Sequence, residues 1–274
     1  MSCDWPIGFF DSGLGGVSVL REAAQLLPFE NFIYFGDDAN APYGVRNAEE
    51  ILELALHSTD FLAAKQVKAI VLACNTVTSI SIKTMRERYS IPIISIEPAV
   101  KPAAEAYSTG TIAVFATPAT VHQKRFHALI ERLGVRDRVR SIECPELASL
   151  IERGDLQAHE LRAYIRRCVE QLAGESAVNA LVMGCTHYSF ASGIIQEEAL
   201  RVLHGACQVF DGAIGTARQL RRVLAGQGLL RERSEPGHVL FCSSAGREVE
   251  ARMAHFFRYG GIGAPMESDR REYA

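Results

Sequence analysis

The sequence predicts an α/β protein of two pseudo-symmetric lobes, each a parallel sheet flanked by helices, with an active site in the cleft between them. Three observations predict this: short apolar runs alternating with helical patterns, an internal echo between two half-chains, and polar clusters that follow the strands. Apolar runs at residues 7–10, 32–35, 69–73 and 92–96 read as buried strands, and those at 111–115, 139–142, 180–183, 208–210 and 239–241 continue the series. Between them, segments 48–64, 77–88, 119–133 and 156–172 space their apolar residues as helices do. Strands alternating with crossover helices imply parallel sheets covered on both faces.

The echo organises these elements into halves. Ala69-Ile-Val-Leu-Ala-Cys74-Asn75-Thr76 is answered by Ala180-Leu-Val-Met-Gly-Cys185-Thr186-His187. Ile7-Gly-Phe-Phe10-Asp11-Ser12 is answered more faintly by Ile112-Ala-Val-Phe115-Ala116-Thr117, at a similar offset and in the same order. Polar positions match as well as apolar ones, which points to two related half-chains. The expected division is a first lobe of residues 1–97 plus 208–260, a second of 98–207, and a C-terminal tail of 261–274. The chain thus returns to the first lobe near Gln208, and the run at 239–241 with the helical stretch to Phe257 forms a closing strand–helix pair. Ligands of open parallel sheets bind beyond the carboxyl ends of the strands. Asp11-Ser12, Asp37-Asp38, Cys74-Asn75-Thr76, Thr117 and Cys185-Thr186-His187 all fall there, so facing halves bring them to one cleft.

Bulk properties exclude several functions. A chain of 274 residues is long enough for two modest lobes, and 48% hydrophobic with 22% charged residues is ordinary for a globular protein. A net charge of -3 gives no reason to expect nucleic acid or an anionic membrane as partner. The arginines at 218–222 and 231–233 read as solvated faces. No apolar run reaches the length of a membrane span, and Met1-Ser2-Cys3-Asp4 lacks the basic start of a signal peptide, so a cytoplasmic address is expected. The seven cysteines fit a reducing compartment, and none form a C-x-x-C. With Cys185-Thr186-His187 as the closest Cys/His spacing, structural zinc is not expected.

Most single cysteines are small buried hydrophobes, and Cys3, Cys144, Cys168, Cys207 and Cys242 read that way. Cys74 and Cys185 differ, because each leaves its strand into a polar loop that starts a helix. A helix N-terminus favours an anion, so these thiols are expected to ionise more readily. A redox pair normally shares a C-x-x-C loop, and nucleophilic catalysis leaves one of two cysteines unexplained. Proton transfer by two bases, one on each face of a carbon, uses both, and a thiol with a pKa near about 8.5 serves in either protonation state. Asp11, ending the strand beside that of Cys74, is a candidate proton partner for it, with helix capping as the alternative. For Cys185 the candidates are His187 and Glu152, although a Glu ahead of Gly154 reads by pattern as a solvated helix end.

The glycine run Asp11-Ser-Gly13-Leu-Gly15-Gly16-Val-Ser18 imitates a dinucleotide fingerprint. Its third glycine falls at Ser18, however, and Asp11 puts negative charge where the pyrophosphate belongs. The run reads instead as backbone N–H groups for one carboxylate of a small substrate.

Taken together, Asp11-Ser-Gly-Leu-Gly-Gly-Val-Ser-Val19, Tyr34-Phe-Gly-Asp37, Pro42-Tyr43-Gly44, Ala73-Cys-Asn-Thr76, Glu97-Pro98 and Gly184-Cys-Thr-His-Tyr188 resemble the glutamate racemase family. The likeness runs in unbroken order from about Ile7 to Leu220. The Asp-Ser-Gly-x-Gly-Gly opening separates it from aspartate and hydantoin racemases, which share the fold and the cysteine pair. The resemblance implies an enzyme without pyridoxal phosphate, metal or other cofactor that supplies D-glutamate for bacterial peptidoglycan. It further implies that Cys74 deprotonates D-glutamate with help from Asp11, and Cys185 L-glutamate with help from Glu152 and His187. By the same likeness Asp11, Ser12, Tyr43, Gly44, Asn75, Thr76, Thr117, Thr120, Thr186 and His187 hold the substrate, and a homodimer is common. The chain departs from the family at Ser189, often Pro; at Val77 and Thr78, often small; and at Gly212, commonly Ser. None of these bears on the chemistry. The rival functions are a racemase of aspartate or another acidic amino acid, and a catalytically silent amino-acid-binding or inhibitory module.

Overall fold

The computed structural model describes residues 1–259 except 176, 204 and 206, and among these residues nine strands form two all-parallel sheets. The expected tail of 261–274 lies outside the described residues. The first sheet is built from β1 (Ile7–Asp11), β2 (Phe32–Gly36), β3 (Ala69–Leu72) and β4 (Ile93–Ser95), with the late strand β9 (Val239–Ser243) on its edge; the order is β4-β3-β1-β2-β9. The second contains β5 (Thr111–Ala116), β6 (Val139–Glu143), β7 (Val178–Met183) and β8 (Gln208–Asp211) in the order β6-β5-β7-β8. If β5 is matched to β1, β6 to β2, β7 to β3 and β8 to β4, the second sheet repeats the first without its extra edge strand.

Side-chain alternation explains why the central strands read as unbroken apolar runs. In β1 and β3, Ile7, Phe9, Ala69 and Val71 enter one core cluster, while Phe10, Ile70 and Leu72 enter the cluster on the opposite face. In β5 and β7, Phe115, Leu181 and Met183 enter one cluster, and Ile112, Val114, Ala180 and Val182 the other. The central strands are therefore dry on both faces, as parallel sheets require.

The crossover helices of the first lobe are α1 (Val17–Leu26), α2 (Ala48–Ala64) and α3 (Asn75–Arg88). The Asn47 side chain caps α2 by accepting the Glu50 N–H at 2.9 Å. The chain passes into the second lobe through Ile96–Ala99 and α4 (Val100–Ala106), which packs on β5, β7 and β8. The single helix expected over 119–133 is divided into α5 (Pro118–Val121) and α6 (Lys124–Arg132), because Gln123 takes an extended backbone between them. After α7 (Leu147–Glu152), α8 (His159–Glu170) and α9 (Ser192–Leu203), β8 joins the second sheet by pairing Ala180 with Gln208 through Met183 with Asp211. The chain therefore returns to the first lobe after Asp211 rather than near Gln208. There α10 (Ala213–Gly226) packs on α1, and α11 (Arg247–Tyr259) packs on β9 and α1. Among the described residues no helix is long and apolar enough to cross a membrane.

Candidate active site

The sheet register determines which polar groups meet. β1 pairs with β3 so that Phe10 lies beside Leu72, which sets Asp11, at the end of β1, next to the turn that carries Cys74. Asp11 is fully buried. Its Oδ1 accepts the Ser12 N–H at 2.7 Å, and its Oδ2 accepts the Gly16 N–H and, at 3.2 Å from the other lobe, the Thr186 hydroxyl. Burial pushes its carboxyl up, opposed by the charge of His187 and by hydrogen bonds from Cys74, Ser12 and Gly16.

Cys74 caps the N-terminus of α3, with its sulfur 3.4 Å from Ser12 Oγ and only 6% of the residue exposed. Its thiol is pushed well up, first by burial and then by the Asp11 charge. The expectation of easier ionisation at the helix N-terminus is overturned here. The loss of water around the sulfur and a neighbouring carboxylate outweigh the half-charge of the helix end.

Cys185 follows β7, is half-buried, and precedes a 3-10 turn, Thr186–Ala191, with α9 only after it. Its sulfur lies 3.8 Å from His187 Nδ1, and His187 Nε2 lies 2.7 Å from Glu152 Oε1. The ring is buried, which by itself disfavours the imidazolium. The Glu152 carboxylate and Cys185 outweigh that and hold its pKa well above the ordinary value. Burial acts to raise the Glu152 pKa, but the His187 charge and hydrogen bond, and then the Arg252 charge, lower it overall. Glu152, read by pattern as a solvated helix end, thus ends α7 with its carboxylate turned inward onto the ring.

Both cysteines line one cavity of about 510 Å³ including its open mouth. Of the expected residues, Ser12, Tyr43, Gly44, Thr76, Thr117, Glu152, Thr186 and His187 line it as well. Tyr43 donates its phenol to Asp37 at 2.6 Å, which fixes the ring in the wall. Thr76, Thr117 and Thr120 form a hydroxyl cluster across the lobes, with oxygens 3.1 to 3.4 Å apart. Asp11 stands behind Cys74 rather than on the cavity surface. Asn75 and Thr120 turn to a smaller neighbouring cavity, where both polar atoms of the buried Asn75 amide lack a hydrogen-bond partner among the described residues.

The glycine run does something different from what its sequence suggests. The N–H groups of Ser12 and Gly16 donate to Asp11. A Cβ on Gly15 would lie 2.4 Å from His187 Nδ1 and 2.6 Å from Thr186 Oγ1. Gly15 is therefore small so that the Cys185 loop can approach. Sequence reasoning also missed the apolar wall of Ala41, Val45, Pro118, Pro145 and Ala148, which carries no motif of its own. Of the remaining cysteines, Cys144, Cys168 and Cys207 are buried, while Cys3 and Cys242 are half-buried. Ser189, where the family often has Pro, donates its hydroxyl to Asp211. Among the described residues, no three His, Cys, Asp or Glu side chains are arranged to hold a metal.

Two parallel sheets each send a thiol to a shared cavity, one beside Asp11 and one beside a His–Glu pair, in a two-lobed α/β fold. The chain matches the Asp/Glu/Hydantoin racemase family over residues 12–220 and belongs to it. The glutamate racemase of Clostridium botulinum (strain Loch Maree / Type A3) is 43% identical over 247 residues, which is 90% of this chain and 94% of that protein. A solved glutamate racemase isoform from Bacillus anthracis superposes with a TM-score of 0.84 at 27% identity, covering 96% of this chain and 97% of that one. The glutamate racemase of Francisella tularensis subsp. tularensis SCHU S4, solved in complex with D-glutamate, gives a TM-score of 0.80 at 28% identity over 93% and 94% of the two chains.

Proposed function

We propose that this protein is a glutamate racemase that moves a proton between Cys74 and Cys185 at the substrate's α-carbon. The observation that carries the reading is one cavity lined by both sulfurs, each sulfur with its own proton-handling partner. The choice of glutamate among acidic amino acids draws support from the 43% identical relative and from the D-glutamate in the Francisella neighbour. The physiological role that follows is a cytoplasmic supply of D-glutamate for peptidoglycan.

With L-glutamate bound, the Cys185 thiolate removes the α-proton. The C–H bond breaks, an S–H bond forms, and the electron pair is delocalised into the carboxylate. The Cys74 thiol then protonates the opposite face and is left as thiolate. The reverse direction uses the same groups in exchanged roles. His187, kept protonated by Glu152, stabilises the Cys185 thiolate, while Asp11 draws the proton from Cys74 when that thiol must act as base. Ser12, Tyr43, Gly44, Thr76, Thr117 and Thr186 hold the substrate from the cavity wall, with Thr120 acting through Thr117.

The test follows the label. L-Glutamate converted in heavy water should give early D-glutamate carrying deuterium at Cα, while recovered L-glutamate stays almost unlabelled, because an aborted turnover returns the same protium from Cys185. Mass spectrometry of the separated enantiomers at a few per cent conversion reads both pools. Protium retained in the early D-product defeats the two-base mechanism. Faster turnover of L-aspartate than of L-glutamate in the same chiral assay replaces the substrate, and binding of D-glutamate without interconversion makes the protein a sensor.

A further inference from the structure

Asp38 is a titratable group at this site that the proton-transfer scheme leaves unused. Its neighbour Asp37 is taken up by the Tyr43 phenol and the Asn40 amide. Asp38 faces elsewhere. Its Oδ2 accepts the Ser243 hydroxyl at 2.8 Å from the end of β9. Its Oδ1 faces Gly13, where a Cβ would lie 2.9 Å from Glu152 Oε1, 3.4 Å from Asp38 Oδ1 and 4.0 Å from His187 Nε2. Because Gly13 has no side chain, the Asp38 carboxyl and the Glu152–His187 pair confront one another across the space of a single methyl group.

We propose that Asp38 is a positioning residue for the Cys185 half of the site, where its carboxylate helps to hold the proton on His187 and so widens the pH range over which an imidazolium stands beside that thiol. The groups facing it come from several elements. Asp11 approaches from β1, and Tyr34 from β2, with its phenol on the Gly13 carbonyl at 2.6 Å. Glu152 faces it from α7 and His187 from the turn after β7. From α11, Glu250 accepts the Ser243 N–H at 3.2 Å, and Arg252 donates to the Glu152 carbonyl. Burial, and then the Glu152 and Asp11 charges, bring Asp38 up to about 6 against the hydrogen bond from Ser243. At neutral pH and above it is therefore an anion beside the His187–Glu152 pair. An added anion raises the proton affinity of an imidazole.

Asp38→Asn tests this, because the amide oxygen still accepts from Ser243 while the charge is lost. The inference rests on the two-thiol reading for its purpose. The readout is nevertheless the NMR titration of the His187 ring in free protein, which needs neither substrate nor turnover, so the two ideas fail separately. In Asp38→Asn the His187 titration should move down by about half a unit or more, and Asp38→Glu should restore part of the shift. Ser243→Ala, which frees the carboxyl from β9, should give a smaller change of the same sign. A folded Asp38→Asn protein whose His187 titrates as in the parent overturns the proposal.

Discussion

The two cysteines occupy equivalent places in equivalent sheets, yet their surroundings differ. In β1 and β3, Phe10 lies beside Leu72, and in β5 and β7, Phe115 lies beside Met183, so the turn bearing each sulfur follows its strand in the same way. The residue after Phe10 is Asp11, whereas the residue after Phe115 is Ala116. The first lobe therefore supplies a buried carboxylate from within its own sheet. The second lobe lacks one there, and its thiol is served by His187 from its own turn and Glu152 from α7. A duplicated backbone presents two thiols in similar ways without giving them the same acid–base chemistry. That difference lies in a few side chains at the strand ends.

The comparison is broken most severely by removing either thiol. Cys74→Ala and Cys185→Ala should each lower racemisation in both directions by more than about a thousandfold, since every turnover needs one base and one acid. Circular dichroism should report an intact fold, and replacing any of the other five cysteines should cost little activity. Substantial turnover in either alanine variant removes that thiol from the mechanism.

Exchanging the partners sharpens the contrast. Asp11→Asn should slow the chemical step that begins with D-glutamate, and Glu152→Gln the step that begins with L-glutamate, each by about ten- to a hundredfold. Because the enantiomers are equally stable, kcat/KM must remain equal in the two directions. The asymmetry appears only in kcat and KM separately or in isotope effects on Cα–H transfer. Identical isotope-effect patterns in the two variants would mean the carboxylates do not divide the thiols between them.

Stability should carry a trace of the His–Glu pair alone. The folded Glu152 pKa is depressed, so its contribution is present above its unfolded value of 4.5 and fades as pH falls through the folded one. The folded His187 pKa is raised, so its contribution is complete below 6.5 and is lost as pH rises through the folded value. The gap in unfolding free energy between the parent and Glu152→Gln should thus be widest between these limits, at about 1–3 kcal/mol. Chemical denaturation across pH 4 to 9 measures it, and a gap independent of pH excludes the pair as its source. The smallest effect belongs to Ser189→Ala, which should cost about 1 kcal/mol through the lost hydrogen bond to Asp211 while leaving turnover unchanged. A large loss of activity there would tie Asp211 to the Cys185 turn.

Much of this was legible in the chain. The central strands follow from apolar runs, because a parallel strand buried on both faces cannot hide its composition, whereas the edge strand β6 carries exposed Arg140, Ser141 and Glu143. Cys74 and Cys185 stood out because the half-chains echo one another, and Asp11 because it ends the neighbouring strand. Glu152 was not legible from pattern, since the direction of a helix-end side chain depends on what packs against it. Asp38 lay in a polar cluster after β2, but outside the Tyr34-Phe-Gly-Asp37 motif, and nothing local marks it for a role of its own. Arg252 and Ser243 come from a region without a motif, and they reach the site only because β9 adds to the edge of the first sheet.

By itself the sequence determined the α/β class, the duplicated order of strands, the two thiols and the family to which the chain belongs. Each of these is written in local composition or in residues at fixed short spacing. Only the tertiary structure decided how the groups around the thiols are tuned. It buries Cys74 against Asp11, turns Glu152 onto His187, directs two N–H groups of the glycine run to Asp11, and keeps β8 in the second sheet. Proton affinity depends on distance, burial and neighbouring charge, and those arise between residues far apart in the chain.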